Sequence, residues 1–143
     1  GRVDEVTDNV FAISGRINST WGGNLTDMVR CRRILEIVER EGLISAAGPK
    51  GERLVAALMQ IAAERPALVT NVRGRGLMAA IDLPDRATRA RVLTALRDDE
   101  HVLVLGSGDR SVRFRPALSV TDDELDLATA ALGRALARIE EHR

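Results

Sequence analysis

The chain has 143 residues, with 21 basic and 21 acidic side chains and a formal net charge of zero. That balance offers no basic field to a nucleic acid, and no apolar run is long enough to cross a bilayer. A single cysteine, Cys31, can form neither an internal disulfide nor a structural zinc site, so a reducing, cytoplasmic compartment is the expectation.

Aromatic residues are 2% of the chain and tyrosine is absent, so the core has to be built from Leu, Val, Ile, Ala and Met. Lys50 is the only lysine; every other basic residue is arginine. Chemistry that needs an amine nucleophile therefore has one residue here to use.

Residues 1–23 carry little helical periodicity, and the stretch 15–23 (GRINSTWGG) reads as a loop. Asn24 opens a helix to about Gly42, with Leu25, Met28, Val29, Leu35 and Val38 near one face. Gly48-Pro49 predicts a break, followed by a helix from Lys50 to Glu64 with Leu54, Leu58 and Ile61 on one face. Residues 67–72 and 77–83 read as two strands around an Arg73-Gly74-Arg75-Gly76 turn. A helix over 86–99 with Val92, Leu93 and Leu96 inward comes next. His101–Leu105 is expected as a strand, 106–109 as a turn and Ser111–Phe114 as a further strand. Thr121 and Glu124 form a capping box for the last helix. Leu125, Ala128, Leu132, Leu136 and Ile139 line its inner face. This order fits an α+β two-layer fold, a small, largely antiparallel sheet covered by helices.

Two segments carry candidate chemistry. Asn18-Ser19-Thr20-Trp21-Gly22-Gly23-Asn24 stands before a helix, where hydroxyls and free amides can hold an anion; a capped connecting loop explains the same residues. Arg113 and Arg115 lie two apart on a strand and so share a face. They read either as an arginine fork for a carboxylate or phosphate or as a solvated strand face. His101 and His142 have no companion ligands, and no metal site is expected. Cys31 reads as a small packed residue.

Three segments together resemble one family: 18–24 (NSTWGGN), 72–78 (VRGRGLM) and 112–118 (VRFRPAL). Their order and spacing are similar to the C-terminal third of class III (ω-amino-acid) aminotransferases, which are fold-type I pyridoxal-phosphate enzymes. Residues 34–43 (ILEIVEREGL) are similar to the family's helix after the phosphate loop. The string 19–30 (STWGGNLTDMVR) resembles the lysine 6-aminotransferase branch. Ornithine and 4-aminobutyrate types are the alternatives, and a non-catalytic domain that binds an anion or partner is the rival from another class.

The resemblance implies roles for named residues. Thr20, with Ser19 beside it, matches the loop that binds the pyridoxal 5′-phosphate group in the neighbouring subunit of a homodimer. Arg113 matches the arginine that holds a substrate carboxylate, with Asn18 as a further substrate contact and Arg115 as a supporting neighbour. L-lysine and 2-oxoglutarate are the implied substrates. The Schiff-base lysine of such enzymes lies upstream of the phosphate-loop threonine. Lys50 matches a surface helix instead. On this reading the chain holds no catalytic lysine and is the C-terminal portion of an enzyme, inactive alone. Residues 1–23 would end the large cofactor-binding domain and 24–143 would form the small one.

Overall fold

The computed structural model describes residues 5–9, 12–13 and 20–141. Contacts divide the chain into two compact units that part between Glu41 and Gly42.

The first unit contains helix α1, Leu25–Arg40. Asn24 caps it, its side-chain oxygen accepting from the Thr26 amide at 2.9 Å. Gly42 ends it as anticipated: its φ of 60° is the left-handed conformation that closes a helix C-terminus. The expected inner face finds no cover, however. No residue of α1 is buried, and Leu25 and Val29 are 77% and 69% exposed.

The second unit holds the core. Helix α2, Leu43–Glu64, runs through Pro49, so the expected break is absent. Proline removes one backbone donor, but Leu54, Leu58 and Ile61 are buried on a single stripe of this helix. Each such side chain contributes about 1.5–3 kcal/mol by leaving water, enough to hold the helix across one missing bond.

Four strands follow: β1 Thr70–Arg75, β2 Met78–Asp82, β3 Leu105–Ser107 and β4 Ser111–Phe114. They form one antiparallel sheet in the order β1-β2-β4-β3. Two strand expectations need correction. The Arg73-Gly74-Arg75 segment lies inside β1, and the turn is Gly76-Leu77, with Gly76 at φ 53°. Leu68 and Val69 are instead buried ahead of the strand. His101 does not open a strand; it adopts φ 56° in an irregular segment, and β3 begins only at Leu105. Val102 and Val104 pack against the core from that segment, which is why its apolar alternation mimics a strand.

Helix α3, Arg86–Asp98, is capped by Asp85, which accepts from the Thr88 amide at 2.7 Å. Helix α4, Asp122–Glu141, carries the capping box as expected. The Thr121 amide donates to Glu124 at 2.7 Å and the Glu124 amide to Thr121 Oγ1 at 3.2 Å. The Thr121 amide and then the Thr121 hydroxyl, which donates to the same carboxylate at 3.0 Å, hold the Glu124 carboxyl below its usual range. Helix α2 packs on β1 and β2, α3 on β3 and β4, and α4 against α2 and α3. The α+β fold with an antiparallel sheet is as the sequence order anticipates.

Candidate functional site

Alternation along β2 and β4 decides what the sheet offers. Ala79, Ile81, Val112 and Phe114 point into the core. Ala80, Asp82, Ser111 and Arg113 therefore lie on the opposite face. Register places Ala80 beside Arg73 on one side and beside Arg113 on the other. Leu105 of the edge strand completes that row next to Arg113. The small Ala80 methyl leaves two arginine stems on one open face.

The two guanidinium groups are in different states. Arg73 donates to Asp82 Oδ1 at 2.9 Å, to the Asn71 carbonyl at 2.8 Å and to Ser111 Oγ at 3.0 Å. Asp82 is 6% exposed. It also accepts from Asn71 Nδ2 at 2.8 Å and from the Ser111 hydroxyl at 2.5 Å. Burial pulls its pKa upward, but the hydrogen bonds from Ser111, Asn71 and Arg73 outweigh it, and the carboxyl falls from 3.8 to about 2. Arg110 stands 3.9 Å from the same carboxylate.

Arg113 has no acid partner among the described residues, and its Nε is buried without a hydrogen bond. It lines the cleft on the open face with Arg73, Arg75, Met78 and Ala80. It also lines an apolar cleft with Val104, Leu105, Phe114 and Pro116. A half-buried guanidinium with unused donors, set among apolar atoms, suits a carboxylate or phosphate, because charge-assisted bonds strengthen where water is thin. Strand β4 stops at Phe114, so the alternation that would put Arg115 on the face of Arg113 ends one residue short. Arg115 is exposed. Of the two readings the sequence left open, the exposed Arg115 suits the solvated one, although it lines the apolar cleft beside Arg113.

Thr20 belongs to the first unit. It is exposed, immediately ahead of a turn that the Asn24 amide closes onto the Trp21 carbonyl at 3.3 Å. Gly23, at φ 75°, allows that turn. Thr20 makes no hydrogen bond to a described residue and stands ahead of the α1 N-terminus. Asn18 and Ser19 lie outside the described residues.

Lys50 Nζ donates to the Val120 carbonyl just before α4. The amine is thus engaged in joining α2 to the start of α4. Cys31 is exposed rather than packed. No cluster of metal-ligating side chains occurs among the described residues, nor is any of their helices long and apolar enough to cross a membrane.

The Asp82 cluster was not anticipated from the sequence. Its one signal was an acid inside an apolar strand, at 77–83, with Asn71 and Arg73 on the preceding strand.

The family model "Aminotransferase class-III" matches residues 3–136. An L-lysine-epsilon aminotransferase of Streptomyces clavuligerus is 48% identical over 141 residues, covering 99% of this chain and 31% of that protein. A mitochondrial 4-aminobutyrate aminotransferase of Sus scrofa is 34% identical over 112 residues, covering 78% of the chain and 22% of that protein. The fold superposes with a TM-score of 0.86 and 52% identity on lysine aminotransferase from M. tuberculosis in the internal aldimine form, over 97% of this chain and 32% of that one. The chain thus spans about a third of the length of these lysine aminotransferases.

Proposed function

The chain belongs to the class III aminotransferase family, and from that premise we propose that it is the C-terminal part of a pyridoxal-phosphate-dependent lysine 6-aminotransferase. The whole enzyme would move the ε-amino group of L-lysine to 2-oxoglutarate. The observation that carries this reading is the family match across both units, joined to the unpaired Arg113 guanidinium on the open sheet face. Identity of 48% to a lysine enzyme against 34% to a 4-aminobutyrate enzyme favours lysine as the donor.

The residues present fit part of such a site. Arg113 has the unused donors needed to seat a substrate carboxylate and so to fix which end of the substrate reaches the reacting centre. Thr20 offers a hydroxyl, without a partner among the described residues, beside a helix start, where backbone dipoles favour a phosphate. Ser19 would sit in the same loop and Asn18 would touch substrate. Lys50 does not fit the covalent role, because its amine is engaged by Val120. Bound pyridoxal phosphate would supply an electron sink that acidifies the C–H beside the donor nitrogen. This chain would contribute binding and orientation, and the proton-moving lysine would come from elsewhere in the full-length protein.

The assembly proposed is a cytoplasmic homodimer in which Thr20 completes the partner subunit's phosphate site. Residues 1–23 would close the large domain and 24–143 would make the small one. The test is steady-state kinetics on the full-length protein with lysine, ornithine and 4-aminobutyrate as donors. Lysine should give the highest kcat/KM, and Arg113→Gln should raise KM for 2-oxoglutarate at least about tenfold, the scale of one lost charge-assisted bond pair. A preference for ornithine or 4-aminobutyrate would move the protein to another branch. An unchanged KM would remove Arg113 from carboxylate binding.

A further inference from the structure

We propose that Asp82 and Arg73 are positioning residues for the Arg113 site: Asp82 holds the Arg73 guanidinium aside so that the Arg73–Ala80–Arg113 row presents one free cation to a substrate carboxylate instead of two. The inference rests on the carboxylate role of Arg113 given above.

Arg73, Ala80 and Arg113 form one row across β1, β2 and β4. Neighbouring strands lie about 4.8 Å apart, so the two arginine stems start roughly 10 Å from each other on the same face. An arginine side chain can span most of that distance. With no restraint, both guanidinium groups could reach a small anion placed over Ala80, and both line the cleft there. A dicarboxylate would then have two competing seats.

The observed arrangement removes that ambiguity within the row. All the hydrogen bonds of the Arg73 side chain run toward Asp82, Ser111 and the Asn71 carbonyl. Those residues lie away from Ala80, in the direction of the Asp82–Ser111 pair. Asp82 is itself fixed by Asn71 and Ser111, so it cannot follow a mobile partner. Its negative charge offsets that of Arg73, the acid being buried while the arginine side chain is half exposed. Among the described residues Arg113 is the guanidinium of the row with no ion-pair partner, and its Nε is buried without a hydrogen bond. An exposed surface ion pair would need no second and third hydrogen bond to the acid, and this pair has both.

The experiment uses the full-length enzyme with 2-oxoglutarate. Asp82→Asn frees Arg73, which adds an unproductive seat. Unproductive binding lowers kcat and KM by the same factor and spares kcat/KM. We therefore expect both to fall about three- to tenfold, with kcat/KM within about twofold of wild type. Adding Arg73→Gln to Asp82→Asn removes the extra seat and should restore both constants, and Asp82→Glu should stay near wild type. A structural role alone predicts the opposite: lower kcat/KM, and a double variant worse than the single. That result overturns the inference.

Should Asp82→Asn fail to fold, Asp82→Ser takes its place: a paired fall in kcat and KM that Arg73→Gln reverses supports the inference, and unchanged constants or a lower kcat/KM overturn it. Arg113→Gln run in parallel separates the two readings. If it leaves KM unchanged, the carboxylate role fails and this inference with it. If it raises KM while Asp82→Asn lacks the paired fall, only the inference fails.

Discussion

At the scale of single residues, Asp82 shows how position converts a common side chain into a pH-sensitive one. Its carboxyl is buried, yet three donors hold it ionised and its pKa drops from 3.8 to about 2. A group whose folded pKa is depressed contributes stability that is fully present above its unfolded pKa and lost as pH falls through the folded one. The window is thus from about 4 down to about 2, and the shift corresponds to about 2 kcal/mol. Asp82→Asn should reduce stability at pH 7 and remove its share of this slope. Wild type and variant should therefore converge in urea midpoint as pH falls from 5 to 2.5. Parallel curves would mean that Asp82 titrates alike in both states. Lys50 makes the complementary point. A composition with one lysine drew attention to that residue, but its amine spends its bonding on a backbone carbonyl.

At the scale of elements, α2 and the β1–β2 hairpin meet backbone to backbone at Gly51 and Gly76. A Cβ built on Gly51 would come within 2.1 Å of the Gly76 carbonyl oxygen. Backbone cannot yield as a flexible side chain can, so α2 would have to lift from the sheet that carries Arg73 and Arg113. Gly51→Ala should cost at least about 2 kcal/mol, typical of overpacking, although alanine is the better helix former by about 1 kcal/mol. A thermal melt checks the sign: a rise in Tm would show that the contact can relax. Gly74 is tight too, with a built Cβ at 2.8 Å from a Val55 methyl, but there a side chain is the neighbour.

The same elements show what a linear pattern conveys. Caps were legible because they are local: Asn24 with Thr26, Thr121 with Glu124 and Gly42 at its positive φ each use residues within three positions. The stripe of Leu54, Leu58 and Ile61 was legible because burial enforces its period. Pro49 misled because a local rule was outweighed by packing along the rest of α2. Glycines 74 and 76 misled because only the second makes the turn; the first is needed for closeness to α2. Arg113 was visible through the family pattern. The Asp82 cluster was not, since it joins positions 71, 73, 82 and 111, which only strand pairing brings together.

At the scale of the whole molecule, the two units satisfy their apolar residues differently. From Gly42 onward the chain owns a continuous core, with Leu58, Ile81, Val92, Leu96, Leu132 and Leu136 all at 0% exposure. Before it, α1 presents Leu25, Met28, Val29 and Leu35, each more than half exposed. Three of these lie within one turn, at i, i+3 and i+4, a spacing that belongs to a buried face. The chain covers 31% of an L-lysine-epsilon aminotransferase to which it is 48% identical, so a relative carries ample further surface for such a face. In the full-length protein this stripe should be covered. Replacing Leu25, Val29 and Leu35 with Gln should then lower its Tm sharply, since a buried leucine contributes about 1.5–3 kcal/mol. In the 143-residue chain alone, the same triple substitution should mainly weaken binding of an apolar dye such as ANS and leave the core transition in place. Equal effects on both proteins, or no effect on the full-length Tm, would show that the α1 face stays in water even in the complete enzyme.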